Sequence, residues 1–239
     1  MRTYRSWAVV IWIAVWAALA AQPSYAAVPH RGYVQAPSTA TTVLTLEPLD
    51  LGTDSLTNLM ATVLQGFATA AGRVQQRVAE SSNLTWAGLQ ADAAALNTAL
   101  TATPGPKVVL GWSRGAQVAS VWLQTYAGTA GAPSPSQLSF ILLGNPQRRL
   151  GGRPGGETLD GVALQPTPDT TAYTVLDISR RWDGWSNWDD WPAMSSADQG
   201  RLILGMWVDH ANYSNVGVAD PTNQTRATVG NTTYVVTTS

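Results

Sequence analysis

The chain has 239 residues and a formal net charge of −1, with 45% apolar and only 12% charged residues. This size and apolar content suit one domain with a sizeable core, and a nucleic-acid partner is excluded because no basic block is present to neutralise phosphates. The absence of cysteine excludes disulfides, cysteine-ligated metals and a thiol nucleophile.

The N-terminal segment is typical of an export signal. Two arginines precede an uncharged apolar run over residues 6–21, and small residues follow at the two positions that a signal peptidase reads. We expect a signal peptide over residues 1–26 that is cleaved after Ala26, with cleavage after Ala20 or an uncleaved membrane anchor as alternatives. The domain is then secreted or held in the cell envelope, and residues 27–40 are expected to form a linker.

Strands and helices are predicted to alternate along residues 41–239, which we interpret as one domain. Short apolar or β-branched runs predict strands, and apolar residues recurring at helical spacing predict helices. The predicted strands cover residues 41–48, 107–112, 138–146, 172–179 and 231–239, and the predicted helices cover residues 54–81, 84–102, 114–128 and 201–213. This alternation predicts a three-layer α/β fold with a central, mostly parallel sheet.

The pentapeptide GWSRG, residues 111–115, joins a predicted strand to a predicted helix. It matches the G-x-S-x-G pattern, in which a strained turn exposes the serine hydroxyl and the glycines avoid collisions with the neighbouring strand and helix. The start of the helix directs backbone N–H groups at the same place. We therefore predict that Ser113 is a nucleophile and that the Arg114 N–H is an oxyanion donor; a serine in a purely structural turn is the alternative.

A nucleophilic serine needs a base, and the chain contains two histidines, His30 and His210. In hydrolases with this turn the order along the chain is serine, acid, histidine, so His210 is the predicted base. The acid is expected in the loop after the fourth predicted strand. Asp183 fits best there, with Asp189 and Asp190 as alternatives.

Tryptophans lie close to these residues in the sequence. Trp112 precedes the predicted nucleophile, and Trp185 follows the predicted acid by two positions. A wall of such rings would suit an acyl chain or the face of a sugar. We expect Trp112 and Trp185 to bind substrate, with ordinary core packing as the alternative.

Four blocks of sequence together resemble a known family. The blocks LGWSRGAQVAS, LLGNPQRRLGG, RRWDGWSNWDDWP and GNTTYVVTTS occur in this order. They are similar to the PE-PPE C-terminal domain of mycobacteria and relatives, a cutinase-like branch of the serine α/β-hydrolases. Over residues 41–239 the resemblance implies an α/β-hydrolase-like fold and an esterase that cleaves acyl esters, with Ser113, Asp183 and His210 as its triad.

The same resemblance leaves the reaction partly open. Some relatives are exported acyltransferases that pass an acyl group to a sugar hydroxyl of an envelope glycolipid, and an inactive hydrolase fold that binds the envelope is a further alternative. The family's Gly-Gly-Thr-like turn is replaced here by LEPLDLGTDS, in which Pro48 has no N–H to donate, so the candidates for a second oxyanion donor are the backbone N–H groups of residues 49–53. We expect a small-molecule or lipid acyl-ester substrate, association with the envelope or membrane, and neither a cofactor nor a metal ion.

Overall fold

A computed structural model describes residues 40–49, 58–81 and 83–237. The predicted signal peptide, nearly all of the predicted linker and His30 lie outside the described residues.

A seven-stranded sheet organises the described residues. Its strands are β1 (Thr42–Leu46), β2 (Val74–Arg77), β3 (Lys107–Trp112), β4 (Leu138–Leu143), β7 (Thr174–Arg180), β8 (Gln224–Val229) and β9 (Thr232–Thr237), and a separate hairpin is formed by β5 (Thr158–Leu159) and β6 (Val162–Ala163). The strand order in the sheet is β2-β1-β3-β4-β7-β9-β8, and every neighbouring pair is parallel except β8 and β9. The predicted α/β fold with a mostly parallel sheet is confirmed.

The sheet carries apolar layers on both faces. Strands β3 and β4 are buried along their full length, as expected for central strands covered on both sides. One face packs against α1 (Trp86–Ala102) and α2 (Arg114–Thr125), whereas the other is covered by short turns and by side chains such as Phe67 and Tyr213. Every helix among the described residues is too short or too polar to cross a bilayer.

The helix predicted over residues 54–81 is wrong in its described part, and its first residues lie outside the described ones. In its place the chain forms short helical turns at Leu59–Ala61, Val63–Gly66 and Phe67–Thr69, followed by β2. Leu64 and Gln65 have φ values of 51° and 56°, which no right-handed helix contains. Their backbone N–H groups bond to the carbonyl oxygens of Tyr213 and Ser214, so bonds to a distant segment replace those of a helix.

The helix near the C-terminus is displaced from its predicted limits of 201–213. It is α3 (Ser196–Gly205), and its start is capped by Ser195, whose hydroxyl oxygen accepts the N–H of Asp198 at 3.2 Å. Residues 206–211 continue as turns that carry His210 toward the carboxyl edge of the sheet. The C-terminal strand was predicted, whereas its antiparallel partner β8 was not.

Candidate active site

Ser113 lies on a sharp turn between β3 and α2. Its φ and ψ are 54° and −112°, a conformation that costs a non-glycine residue about 1–3 kcal/mol. Its backbone N–H donates to the carbonyl oxygen of Leu143 at 2.9 Å, which ties the turn to the end of β4. The turn therefore holds the serine hydroxyl at the carboxyl edge of the sheet.

The two glycines of the pentapeptide permit this turn. A β-carbon at Gly115 would lie 2.2 Å from the carbonyl oxygen of Leu46 on β1, and one at Gly111 would lie 2.6 Å from the carbonyl oxygen of Gly115. Both distances are impossible for real side chains. The predicted reason for the glycines, close approach to a neighbouring strand and to the helix, agrees with this geometry.

The structure brings together the three side chains predicted to form a triad. Nε2 of His210 lies 2.7 Å from Oγ of Ser113, and Nδ1 of His210 lies 2.8 Å from Oδ2 and 3.0 Å from Oδ1 of Asp183. The carboxylate is fully buried, while the imidazole keeps a small exposed fraction of 13%. Such a chain of hydrogen bonds lets an imidazole remove the serine proton while the carboxylate fixes its tautomer and orientation.

Two further donors hold the carboxylate of Asp183. The backbone N–H of Trp185 donates to Oδ1 at 2.9 Å, and the hydroxyl of Tyr213 donates to Oδ2 at 2.7 Å. Burial, followed by the negative charge of Asp183, raises the pKa of Tyr213, so its hydroxyl stays protonated and acts as a donor. The carboxylate is thus fixed from three sides, with its charge compensated by hydrogen bonds.

The other aspartates near the site have arginine partners. Asp189 and Asp190, the alternatives for the acid, lie 3.8 Å and 3.4 Å from the guanidinium of Arg226. Asp209, the neighbour of His210 in sequence, pairs with Arg180 at 3.3 Å. Of these carboxylates, only that of Asp183 is within hydrogen-bonding distance of His210.

Trp112, which the sequence led us to expect at a substrate surface, lies in the core. It is 5% exposed, and its ring packs edge-on against Tyr213 with centroids 6.0 Å apart. Its indole N–H donates to the backbone carbonyl oxygen of His210 at 3.1 Å. The sequence neighbour of the nucleophile is therefore part of the core and braces the segment that carries the histidine.

Trp185 lies where a substrate could touch it. Its ring is partly exposed, and its centroid is 6.1 Å from that of His210 and 6.3 Å from that of Trp207. The guanidinium of Arg153 covers the ring at 5.1 Å. The expected aromatic wall thus has one candidate member beside the imidazole, and Trp207 extends it outward.

Arg114 occupies the first position of α2, where a backbone N–H has no partner within the helix. Its side chain is buried and pairs with Asp92 at 2.6 Å and with Glu80 at 3.7 Å. Burial raises the pKa of Glu80 to about 8 against the opposing effect of Arg114.

Most of the segment that holds the candidates for a second oxyanion donor, residues 49–53, lies outside the described residues.

Gly144 is a site residue that the sequence analysis missed. It follows β4 with a φ of 52°, and a β-carbon there would lie 2.8 Å from Oδ2 of Asp183 and 3.0 Å from Nδ1 of His210. The only signal in the sequence was that this glycine follows a buried strand. Many glycines in ordinary turns do the same, so the signal did not mark a site.

Comparisons with known proteins show which family and which relatives the chain resembles. A family profile described as "PE-PPE domain" matches residues 61–239. The chain is 40% identical over 114 residues to "Esterase PE16" of Mycobacterium tuberculosis, covering 44% of this chain and 21% of that protein. It is 30% identical over 118 residues to "SL1278 acyltransferase Chp1" of the same organism, covering 48% of this chain and 29% of that protein.

The matched curated relatives are much longer than the matched region, which spans less than a third of either protein. Among solved structures, a cutinase-like protein from Cryptococcus sp. is 20% identical with a TM-score of 0.42, covering 75% of this chain and 98% of that one.

Proposed function

The chain belongs to the PE-PPE domain family, and from this premise we propose that it is a serine esterase that cleaves acyl esters through an acyl-enzyme on Ser113. The observation that carries the proposal is the imidazole of His210, which bonds to Ser113 through one ring nitrogen and to Asp183 through the other. The likeness to an esterase at 40% identity supports the same reaction class.

In the proposed reaction, Nε2 of His210 takes the proton of Ser113 as Oγ attacks the ester carbonyl carbon. The negative charge that develops on the carbonyl oxygen is stabilised by the N–H of Arg114 at the start of α2. The protonated imidazole then gives its proton to the leaving alkoxide as the carbon–oxygen bond breaks. The products of this half-reaction are a free alcohol and an acyl group bound to Ser113.

Water completes hydrolysis in the second half-reaction. His210 removes a proton from the water as its oxygen attacks the acyl carbon, and returns that proton to Oγ of Ser113 when the acyl-enzyme bond breaks. Asp183 remains a carboxylate throughout and stabilises the imidazolium in both steps. We propose that Trp185 contacts the substrate, because its partly exposed ring lies beside the imidazole.

Acyl transfer is the second candidate function, favoured by the likeness to a protein named as an acyltransferase. It uses the same acyl-enzyme and replaces water by the hydroxyl of a sugar in the second half-reaction. The two outcomes differ in how well the site excludes water from the acyl-enzyme.

A p-nitrophenyl ester series from short to long acyl chains tests the proposal directly. The unsubstituted protein should release p-nitrophenol, while Ser113→Ala and His210→Ala should each lose at least about 10³-fold in kcat. Ser136→Ala, at an exposed loop serine, is the matched control and should retain full activity. Hydrolysis that survives in Ser113→Ala would refute this nucleophile.

A fluorophosphonate probe separates an enzyme from an inactive binding fold. Labelling of the unsubstituted protein and of Ser136→Ala, but not of Ser113→Ala, supports the enzyme. No labelling of any variant would favour the inactive fold.

An acceptor experiment tests acyl transfer. The enzyme is given an ester substrate together with a disaccharide in water, and the formation of free fatty acid alone would refute transfer.

We propose that the protein acts outside the cytoplasm, on the strength of residues 1–26 alone. N-terminal sequencing of protein recovered from the envelope and the medium tests this. A mature N-terminus at Ala27 is expected, and a full-length cytoplasmic protein would contradict it.

A further inference from the structure

An exposed apolar surface adjoins the proposed active site. Ile203, Leu204, Trp207 and Val208 are 45%, 61%, 72% and 60% exposed, and they lie on α3 and the turn that follows it. Single exposed apolar side chains are ordinary, whereas a group of four within six residues marks a binding surface. We call these four residues the α3 apolar face. We propose that it docks onto a lipid surface carrying anionic headgroups.

The α3 apolar face cannot turn inward, because the opposite side of the helix is locked against the loop of the proposed acid. Leu202 is fully buried, and a β-carbon at Gly205 would lie only 1.7 Å from the carbonyl oxygen of Trp182. A β-carbon at Gly184 would lie 2.5 Å from the carbonyl oxygen of Leu202. Backbone-to-backbone contact of this kind fixes the helix with its large apolar side chains pointing outward.

Positive charge borders the α3 apolar face. The guanidinium of Arg201 lies 4.6 Å from the ring of Trp182, and that of Arg181 lies 4.9 Å from the same ring. Both arginines are exposed, and within the described part of the chain neither forms an ion pair. A helix with exposed leucine and tryptophan beside unpaired arginines suits the boundary between acyl chains and anionic headgroups.

The α3 apolar face is continuous with the proposed site. Trp207 packs edge-on against Trp185 at 6.3 Å, and Trp185 lies 6.1 Å from the ring of His210. An ester lipid in the docked surface would reach the imidazole along apolar rings, without its acyl chain crossing water. The docking is inferred from the exposed apolar side chains and the neighbouring arginines alone. Only the delivery of an ester lipid to His210 rests on the proposed function.

Vesicle flotation of a Ser113→Ala protein tests the docking without any hydrolysis of the lipid. The protein should float with vesicles of mixed phosphatidylcholine and phosphatidylglycerol, and more weakly with phosphatidylcholine alone. Adding Ile203→Ser and Leu204→Ser should weaken binding by about tenfold or more, because two apolar side chains no longer enter the surface. Arg201→Gln should weaken binding to the anionic vesicles only.

The matched control removes exposed apolar side chains elsewhere. Val74 and Val229 are 65% and 38% exposed and lie on the two edge strands of the sheet, so Val74→Ser with Val229→Ser should leave flotation unchanged. Equal losses in control and test variants would overturn the proposal, as would an absence of flotation. Circular dichroism checks folding, and a single Leu204→Gln change serves if the double variant misfolds.

Three other results would be equally decisive. A dimer that Leu204→Gln dissociates, in a protein that does not float, would mean that a second copy covers the α3 apolar face. Flotation that fails while the unsubstituted protein hydrolyses soluble p-nitrophenyl acetate would overturn the docking and leave the esterase proposal standing. Flotation combined with an absence of p-nitrophenyl acetate hydrolysis by the unsubstituted protein would support the docking and overturn the esterase proposal.

Discussion

Gly144 packs directly against the ring of His210. A β-carbon at position 144 would lie 3.0 Å from both Nδ1 and Cε1 of the imidazole and 2.8 Å from Oδ2 of Asp183. The backbone N–H of Gly144 donates to the carbonyl oxygen of Ile178 at 3.0 Å, which ties this wall to β7. The end of β4 therefore forms one side of the space in which the imidazole and the carboxylate meet.

Replacing Gly144 by alanine should misplace the imidazole while leaving the fold intact. A methyl group within 3.0 Å of two ring atoms must move the ring, and small displacements of a catalytic group cost about 10²-fold in rate. We expect kcat on a short p-nitrophenyl ester to fall by that order. Gly105→Ala is the matched control, because Gly105 also has a positive φ, of 72°, but has open space around it. Equal effects of the two changes would mean that backbone strain, not contact with the imidazole, is responsible.

The sheet was predictable because its central strands leave an unmistakable pattern. VVL and FILL are uninterrupted apolar runs, as strands covered on both faces must be. The edge strand β2 was missed because its sequence VQQR is mostly polar and none of its residues is buried, so its pattern cannot be told from that of a helix surface. Edge strands owe their conformation to the neighbour with which they pair.

The helix predicted over residues 54–81 is wrong in its described part for a different reason. Met60, Val63 and Phe67 do face the core, so the periodicity was real. The backbone departs from a helix at Leu64 because its N–H bonds to Tyr213, which is 149 positions away in the chain. Such tertiary hydrogen bonds are invisible in a local pattern.

The three side chains of the candidate triad could be predicted from the sequence, whereas the residues that hold them in place could not. A serine in a strand–turn–helix and one late histidine leave little choice of nucleophile and base. The burial of Trp112 could not be predicted, because adjacency to Ser113 in the sequence says nothing about the side of the sheet to which the ring points. In the structure that ring lies in the core.

Removing the hydroxyl of Tyr213 should weaken both stability and positioning. In Tyr213→Phe, Oδ2 of Asp183 loses a donor at 2.7 Å and the N–H of Arg180 loses its acceptor at 3.1 Å. We expect a free energy of unfolding lower by about 1–3 kcal/mol and a kcat lower by about tenfold, with little change in KM. Chemical denaturation and steady-state kinetics measure the two effects. A loss of stability with unchanged kcat would show that Tyr213 supports only the fold.

Glu80→Gln should flatten part of the pH dependence of stability. The pKa of Glu80 is raised from 4.5 to about 8, mainly by burial, so between these values the unfolded chain has lost this proton while the folded chain keeps it. The group's contribution to stability is therefore full below pH 4.5 and is lost as pH rises toward 8, at up to about 1.4 kcal/mol per pH unit. Glutamine stays neutral, so the variant should gain stability relative to the unsubstituted protein as pH rises from 5 to 8. Denaturant unfolding across that range measures it, and a difference independent of pH would contradict the assignment.

Substitutions of Trp112 and Trp185 should have different effects on kcat and KM. Trp112→Phe deletes the N–H that holds the carbonyl oxygen of His210 at 3.1 Å, so it should lower kcat on short and long esters alike, by about three- to tenfold, and leave KM unchanged. Trp185→Ala removes a partly exposed ring beside the imidazole and should raise KM most for long acyl chains. The chain-length series measured on both variants separates positioning from substrate contact. A chain-length effect in Trp112→Phe would restore the substrate-binding role that burial of its ring argues against.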